Sequence, residues 1–463
     1  MNEKRRLIRN TGIIAIGNIS TKLVSFFLLP LYTALLNTAE YGTIDYFFSI
    51  SVFFVPVISV LMDESIFRFL IDCKGKRERK KVISTAMVII AMGGTVFLIG
   101  CIPVLIILKY KYSIFLIAYI IISVLSSMIS ALLRGLGDIE KYVIYNFLIS
   151  ALNIILNILF IVVFRWGVIG MLSASILSVG LISVFYIFWL KMWKYLDFHD
   201  LDKKQVYEMV RYSIPLIPNK LSWSIINLSD RIIIMNFIGS SASGLYAIAY
   251  KFPNLMDTIY GFFYQSWKES SARALQGDGV DAFYNQVYTY LKRFMYSVVI
   301  GMVAFMPLAF KLLINANYQE SIVYVPILLL GTYFSNISGF YGGIFTAFKD
   351  TKIMGTTTMA AALINIVLNI AMIWKFGLYA AAISTLIANF VVYIYRRIKV
   401  KRYVVLKENN IETAVACAIT AIIFVLFYSR DMKLQLMGCV IVVIYALVEN
   451  YKIIAIVIQR KRR

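Results

Sequence analysis

The chain has 463 residues, 60% of them apolar and 15% charged, with a formal net charge of +22. Soluble globular chains carry about 25% charged residues, so this composition excludes an ordinary soluble enzyme, a disordered chain and a fibrous one. The apolar share suffices for about fourteen helices of ~20 residues, the length a bilayer core demands.

The first ten residues are basic and run directly into an apolar stretch from Thr11 to about Leu36. That stretch is too long for a signal-peptide core and lacks a small-residue cleavage motif, so a retained first span is expected. Further apolar runs fall at about 45–67, 82–108, 113–133, 142–164 and 168–190. A polar stretch, 191–211, follows, and its part from 197 on has the pattern of an amphipathic helix lying on a surface. Six more runs lie at about 212–238, 244–267, 294–314, 322–347, 354–374 and 378–395, and two weaker ones at 413–428 and 434–456. The expected fold is all-α and integral to a membrane, with about fourteen transmembrane helices.

Lys and Arg set the orientation. With the N-terminus inside, thirty-four of the 46 basic residues fall in inner segments and seven in outer ones. That bias places both termini in the cytoplasm and accounts for the basic balance without nucleic acid. The four cysteines, Cys73, Cys101, Cys417 and Cys439, are scattered, so no disulfide framework and no metal site is expected. The single histidine, His199, sits in a polar segment beside acidic residues and reads as solvated. No cofactor is expected.

Five basic residues remain inside the apolar runs: Lys22, Arg68, Lys220, Arg231 and Lys251. A charge at bilayer depth costs about 3 kcal/mol on insertion scales, so such residues face a bundle interior or a wet cavity. Lys22 lies thirteen residues beyond Arg9, about 20 Å along a helix, too deep to snorkel back to the surface.

The chain also repeats. Asn153 and Asn157 match Asn365 and Asn369 at an offset of 212, and Gly137-Asp138 matches Lys349-Asp350 at the same offset. Gly167 matches Gly377, Glu64-Ser65 with Arg68 matches Glu269-Ser270 with Arg273, and Lys22-Leu23 matches Lys220-Leu221. Ordered landmarks of this kind mark an internal repeat. Each copy holds six spans, an even number, so both enter the membrane in the same orientation, as in transporters with parallel repeats. The expected organisation is an N-lobe over 1–196, an amphipathic linker and C-lobe over 197–403, and two further spans with a basic tail over 404–463.

Lys22 and Lys220 are then equivalent by the repeat. They are expected, with Arg231 and Lys251, to line a cationic cavity between the halves; the alternative is that they pair with carboxylates and only brace the bundle. Asp45, Asp230 and Asp257 are candidate outer-mouth or coupling carboxylates. Glu64 with Arg68 and Glu269 with Arg273 are i,i+4 pairs at the inner ends of the second and eighth spans, read as interfacial pairs or a gate. The paired asparagines suit interhelical hydrogen bonds. Pro30 and Pro253 interrupt the first and eighth spans and are expected to kink them. Tyr32, Tyr246, Tyr250, Tyr260, Tyr264 and Trp267 are read mainly as belt or packing aromatics, with stacking on sugars as the other option.

The segments Ser20–Gly42 and Ile214–Leu255 resemble the openings of the two halves of bacterial polysaccharide flippases, in the multidrug/oligosaccharidyl-lipid/polysaccharide exporter superfamily. The resemblance covers the whole chain. It implies two lobes working by alternating access and moving an undecaprenyl-diphosphate-linked oligosaccharide from the inner to the outer leaflet of a bacterial plasma membrane. It also implies coupling to a proton or sodium gradient or to the membrane potential. In related lipid II flippases basic residues of helices one, two and eight line the central cavity; Lys22, Arg68 and Lys251 occupy those helices here, and Lys220 and Arg231 add helix seven. At helix one a lysine offers a point charge, where an arginine would offer a bidentate phosphate clamp. The last two helices resemble the pair that forms a lipid-tail groove in those relatives. A cation-coupled multidrug exporter on the same fold is the first alternative, although Thr11–Leu36 holds no carboxylate. A membrane glycan polymerase or glycosyltransferase is the second. It would need catalytic groups in a sizeable outer loop, and none is expected.

Overall fold

The computed structural model describes residues 26, 28–73, 75–107, 110–195, 202–275, 279–429 and 431–461. Lys22 and His199 lie outside the described residues, as does most of the expected first span.

The described chain forms sixteen α-helices joined by short turns. They are α1 (Leu29–Leu35), α2 (Thr38–Ile58), α3 (Met62–Asp72), α4 (Lys76–Ile107), α5 (Ser113–Gly135), α6 (Ile139–Asn157), α7 (Gly167–Trp189) and α8 (Lys203–Ser213). Then come α9 (Ile217–Phe237), α10 (Ser240–Ala274), α11 (Val280–Leu313), α12 (Val325–Ala347), α13 (Lys352–Phe376), α14 (Leu378–Val400), α15 (Asn410–Tyr428) and α16 (Met432–Lys461). Among the described residues, eleven helical segments are long and apolar enough to cross a membrane. The helices α9 and α10 are not among them, although each fills the place of an expected span. These are the two that carry Lys220, Asp230 and Arg231, and Lys251 and Asp257.

The second expected span is broken. Pro56 removes a backbone donor within α2, and the chain turns at Val60 and Leu61, both at φ +50°. Two consecutive non-glycine residues in the left-handed region cost about 1–3 kcal/mol each, and such strain clusters at functional sites. Pro253, by contrast, is absorbed inside α10, which continues to Ala274, and Pro30 falls in the first turn of α1.

Two compact units emerge. The first comprises Met1–Leu36 and Thr43–Arg231, the second Asn37–Gly42 and Ile232–Arg463. The units therefore change over inside α9, whereas the repeat reading puts the boundary in the linker before it. The core of the first unit joins Met62, Ile66 and Leu70 of α3 to Ile129, Leu132 and Leu133 of α5, with Tyr145 and Tyr186 beside them. The linker helix α8 docks into that core rather than lying free. Met209 is fully buried, Ser65 Oγ donates to Met209 O at 2.9 Å, and Lys81 Nζ lies 3.1 Å from Asp202. Asp202 caps α8 through the Lys204 N–H, which with the Lys81 ammonium holds its carboxyl below the usual range.

The repeat reappears as geometry. Gly137 and Lys349 both have positive φ, +82° and +61°. Asp138 N–H donates to Leu133 O at 2.9 Å and Asp350 N–H to Phe345 O at 2.8 Å, the same Schellman-type closure of α5 and α12. Gly167 and Gly377 open α7 and α14 at φ +53° and +54°. Asn153 Nδ2 donates to Ser178 Oγ at 3.1 Å in the first unit, and Asn365 Nδ2 to Thr385 Oγ1 at 3.0 Å in the second. Each bond ties consecutive helices, so these asparagines bridge helices as the residue pattern suggested.

In the second unit, Thr38–Gly42 crosses the start of α10 backbone to backbone. A Cβ on Gly42 would fall 2.0 Å from Ser240 O, and one on Gly244 would fall 1.9 Å from Thr38 O. The contact is reciprocal: 38 and 240, like 42 and 244, are 202 residues apart, within the range of the repeat offsets. The last two helices, α15 and α16, belong to this unit too. Arg293 Nη2 and Lys292 Nζ meet Glu412 at 3.0 and 3.5 Å, and Arg397 Nη2 meets Glu408 Oε2 at 2.8 Å. Trp267 is buried here, its ring stacked 4.3 Å from that of Phe340 and its Nε1 donating to Phe340 O. It is a packing residue, not a belt anchor.

Because backbone atoms cannot rotate away, Gly42→Ala and Gly244→Ala should each cost about 1–3 kcal/mol or more. Gly94→Ala, which meets nothing within 4 Å, should be neutral. Thermal unfolding of the detergent-solubilised variants checks the contrast.

Candidate functional site

In the first unit the charges gather on α9. Lys220, Ser224, Asn227 and Arg231 recur at i, i+4, i+7 and i+11, which puts all four on one helical face over about 16 Å. Lys220 and Asn227 are exposed, and Arg231 is buried. Arg231 Nε donates to Asp45 Oδ2 at 3.0 Å and its Nη1 to Asn227 O at 3.0 Å. The side chains of Arg231 and Asp45 are 7% and 18% exposed, so this is a buried ion pair between α2 and α9. The neighbouring Asp230 is buried as well, at 1%. Arg231 is therefore a partly neutralised cation, and Lys220 is the exposed one on this face.

Lys220 lies within electrostatic reach of Asp63, a residue that the sequence reading passed over. Asp63 stands in the first turn of α3, two residues after the strained Val60–Leu61 turn, and its Oδ1 is buried without a hydrogen-bond partner among the described residues. Only the adjacent Glu64 was singled out, because it matched the repeat; an acid beside it inside an apolar run was the available signal. Glu64 is half-buried and Arg68 exposed. Arg68 Nη1 donates to Asp72 Oδ2 at 2.7 Å, the next turn outward, so it reaches toward the polar end of α3 instead of back to Glu64.

In the second unit α10 carries the polar face. Asn254, Asp257, Gln265 and Lys268 are exposed and recur at helical spacing, with Thr258 and Gly261 between them. A Cβ on Gly261 would meet nothing within 4 Å. Lys251 Nζ stands 5.8 Å from the Tyr41 ring centroid, in cation–π range. Arg273 is exposed near the end of α10, and Glu269 falls one turn before it. A spanning helix cannot set such a face against lipid, because nothing there solvates it.

A further buried cation is Arg396, 2% exposed on α14. The expected apolar run ends at about 395, which leaves Arg396 just beyond it. Four neutral oxygens receive its guanidinium, those of Thr357, Thr358, Met354 and Ser338.

Solved structures share this fold. The lipid II flippase MurJ in an inward closed conformation aligns over 95% of this chain and 99% of its own, with a TM-score of 0.71 and 16% identity. An inward-facing multidrug resistance MATE family transporter of the MOP superfamily aligns over 84% and 98%, with a TM-score of 0.70 and 18% identity. The chain thus has the all-helical membrane fold of MOP-superfamily transporters and flippases. Residues 7–267 match the polysaccharide biosynthesis protein family, and the chain belongs to that family. A curated relative, Lsg locus putative protein 1 of Haemophilus influenzae, is 30% identical over 96 residues, which are 21% of this chain. The match spans about a quarter, 24%, of that relative's length.

Removing Asp45 leaves Arg231 buried without its carboxylate. Asp45→Asn should cost about 3–5 kcal/mol, while the apolar double variant Asp45→Leu/Arg231→Met should recover most of it. A midpoint of thermal unfolding that Asp45→Asn leaves unchanged would show the pair to be energetically idle.

Proposed function

We propose that the chain moves a lipid-linked oligosaccharide, a sugar chain on a polyprenyl diphosphate, from the inner to the outer leaflet of a bacterial plasma membrane for cell-surface polysaccharide synthesis. The observation that carries this reading is the exposed cation on the polar face of α9, in a member of the polysaccharide biosynthesis family. A diphosphate cannot cross hydrocarbon unaided, since burying unpaired charge costs many kcal/mol. An ammonium on a wetted helix face offsets that cost, and lysine is a point-charge partner for phosphate.

In this reading Lys220 on α9 is the phosphate-pairing cation of the first unit and Lys251 on α10 that of the second, and Lys22, equivalent to Lys220 by the repeat, is a third. Arg231, held by Asp45, sets the shape and potential of the outer part of the path. The hydroxyl and amide groups of Asn254, Thr258 and Gln265 suit a sugar, whose hydroxyls both donate and accept. The polyprenyl tail stays in lipid while the lobes alternate access. Asp45, Asp230 and Asp257 are the proposed coupling carboxylates for a proton or sodium ion. Glu64, Arg68, Glu269 and Arg273 are proposed to act as a gate at the inner ends of their helices. Both termini are proposed to be cytoplasmic, and the chain to act in transport without catalysing a bond change.

The test is complementation of flippase-deletion strains, scored by surface glycan. Lys220→Ala and Lys22→Ala should each lower surface glycan at least 10-fold at unchanged membrane insertion, while Lys203→Ala on the exposed side of α8 should export normally. Full export by both of the first two variants contradicts the cationic path.

A further inference from the structure

On the second unit, α13 and α14 line an open groove of about 230 Å³. Thr356, Thr357, Ala360 and Ala361 form its α13 side, and Val391 and Tyr395 its α14 side. Its lining is mostly apolar. Both helices are long and apolar enough to cross a membrane, so water gains little by filling it and a hydrocarbon chain gains contact.

One end of the groove is basic. The two helices are antiparallel neighbours joined at Gly377, so the start of α13 and the end of α14 lie at the same end. Lys352 stands one turn before Thr356, and Lys399 one turn after Tyr395, on the faces that carry the groove. Lys352 is exposed, and Lys399 Nζ stands 5.3 Å from the Tyr395 ring centroid. Neither lysine has a carboxylate within ion-pair distance among the described residues. Behind the wall at the same end sits Arg396, whose Nε donates at 2.9 Å to Oγ1 of the lining residue Thr357. Its guanidinium donates to neutral oxygens of Thr357, Ser338, Met354 and Thr358. Two carboxylates lie at this end, Asp350, which accepts from the Tyr403 hydroxyl, and Glu408, paired with Arg397; the basic residues outnumber them, so this end of the groove is net positive.

We propose that the groove seats an anionic phospholipid of the cytoplasmic leaflet, with one acyl chain between α13 and α14 and the phosphate between Lys352 and Lys399. The two lysines act as point charges on the phosphate oxygens, while Arg396 contributes through the Thr357 wall without direct contact. The leaflet follows from the excess of Lys and Arg in the loops at this end. The site uses none of the residues of the polar faces of α9 and α10, so it stands whether or not the transport reading does.

The full-length protein is reconstituted in vesicles of phosphatidylglycerol and phosphatidylcholine in equal parts, extracted, and its retained lipids are counted by native mass spectrometry. The wild-type protein should retain phosphatidylglycerol in excess, and the excess should fall as salt is raised. Each of Lys352→Gln and Lys399→Gln should lower the excess about 5-fold, and the double variant roughly 25-fold. Ala360→Phe, which fills the groove, should abolish retention while thermal unfolding stays cooperative. Equal retention of the two lipids by the wild type, or an unchanged excess in the double variant, overturns the proposal. So does preferential retention of polyprenyl phosphate when it is added to the same vesicles, which would give the groove to that lipid instead.

Discussion

The cost of placing charge where no water can reach it governs this molecule. Some of its helices, α1, α7 and α12, meet that cost by carrying no charge at all, and others, such as α5, α6 and α13, keep their charges to the end turns. Ile114, Val96 and Trp374 are more than 70% exposed, a state that only a lipid environment favours. The helices α9 and α10 break the pattern, each with one face of lysine, amide and hydroxyl groups. A charged face on a spanning helix persists only where water, another charge or a ligand meets it. The Asp45–Arg231 pair satisfies one such charge internally and leaves Lys220 exposed on the same face. That division underlies the proposal that Arg231 braces the helices and Lys220 faces the substrate.

Much of the architecture was legible in the residues. Long apolar runs mark spans because a helix rises 1.5 Å per residue and hydrocarbon has a fixed thickness. The repeat was legible as well, because its landmarks do physical work. Gly137 and Lys349 close helices in the left-handed region, and Asn153 and Asn365 bridge neighbouring helices through Ser178 and Thr385. Short polar residues inside apolar runs stand out for the same reason that they are retained.

What stayed hidden depends on contacts far apart in the chain. Asp45 and Arg231 are 186 residues apart, and no local pattern pairs them. Arg396 reads as a loop residue beside Arg397, yet α14 continues to Val400 and turns it inward against α13. The turn at Val60 and Leu61 lacks the glycine that usually announces one. Its signal was Pro56 four residues upstream, and Asp63, two residues after the turn, acquires a buried oxygen as a consequence. The first lysine of the proposed path, Lys22, is known only through its equivalence to Lys220. The C-terminal helices also depend on distant partners, since Lys292 and Arg293 of α11 hold Glu412 of α15, and Arg293 also holds Glu449 of α16.

The central claim is that these wetted cations carry a diphosphate headgroup through the bilayer. It is tested most directly with the purified protein in sealed proteoliposomes, by following a fluorescent polyprenyl-diphosphate oligosaccharide as it becomes accessible to a membrane-impermeant quencher in the opposite leaflet. The account requires protein-dependent exposure of the diphosphate lipid, lost in Lys220→Ala, with no exposure of a neutral polyprenyl glycoside. Exposure at the same rate with and without the diphosphate, or unaltered flipping by the variant, would contradict it.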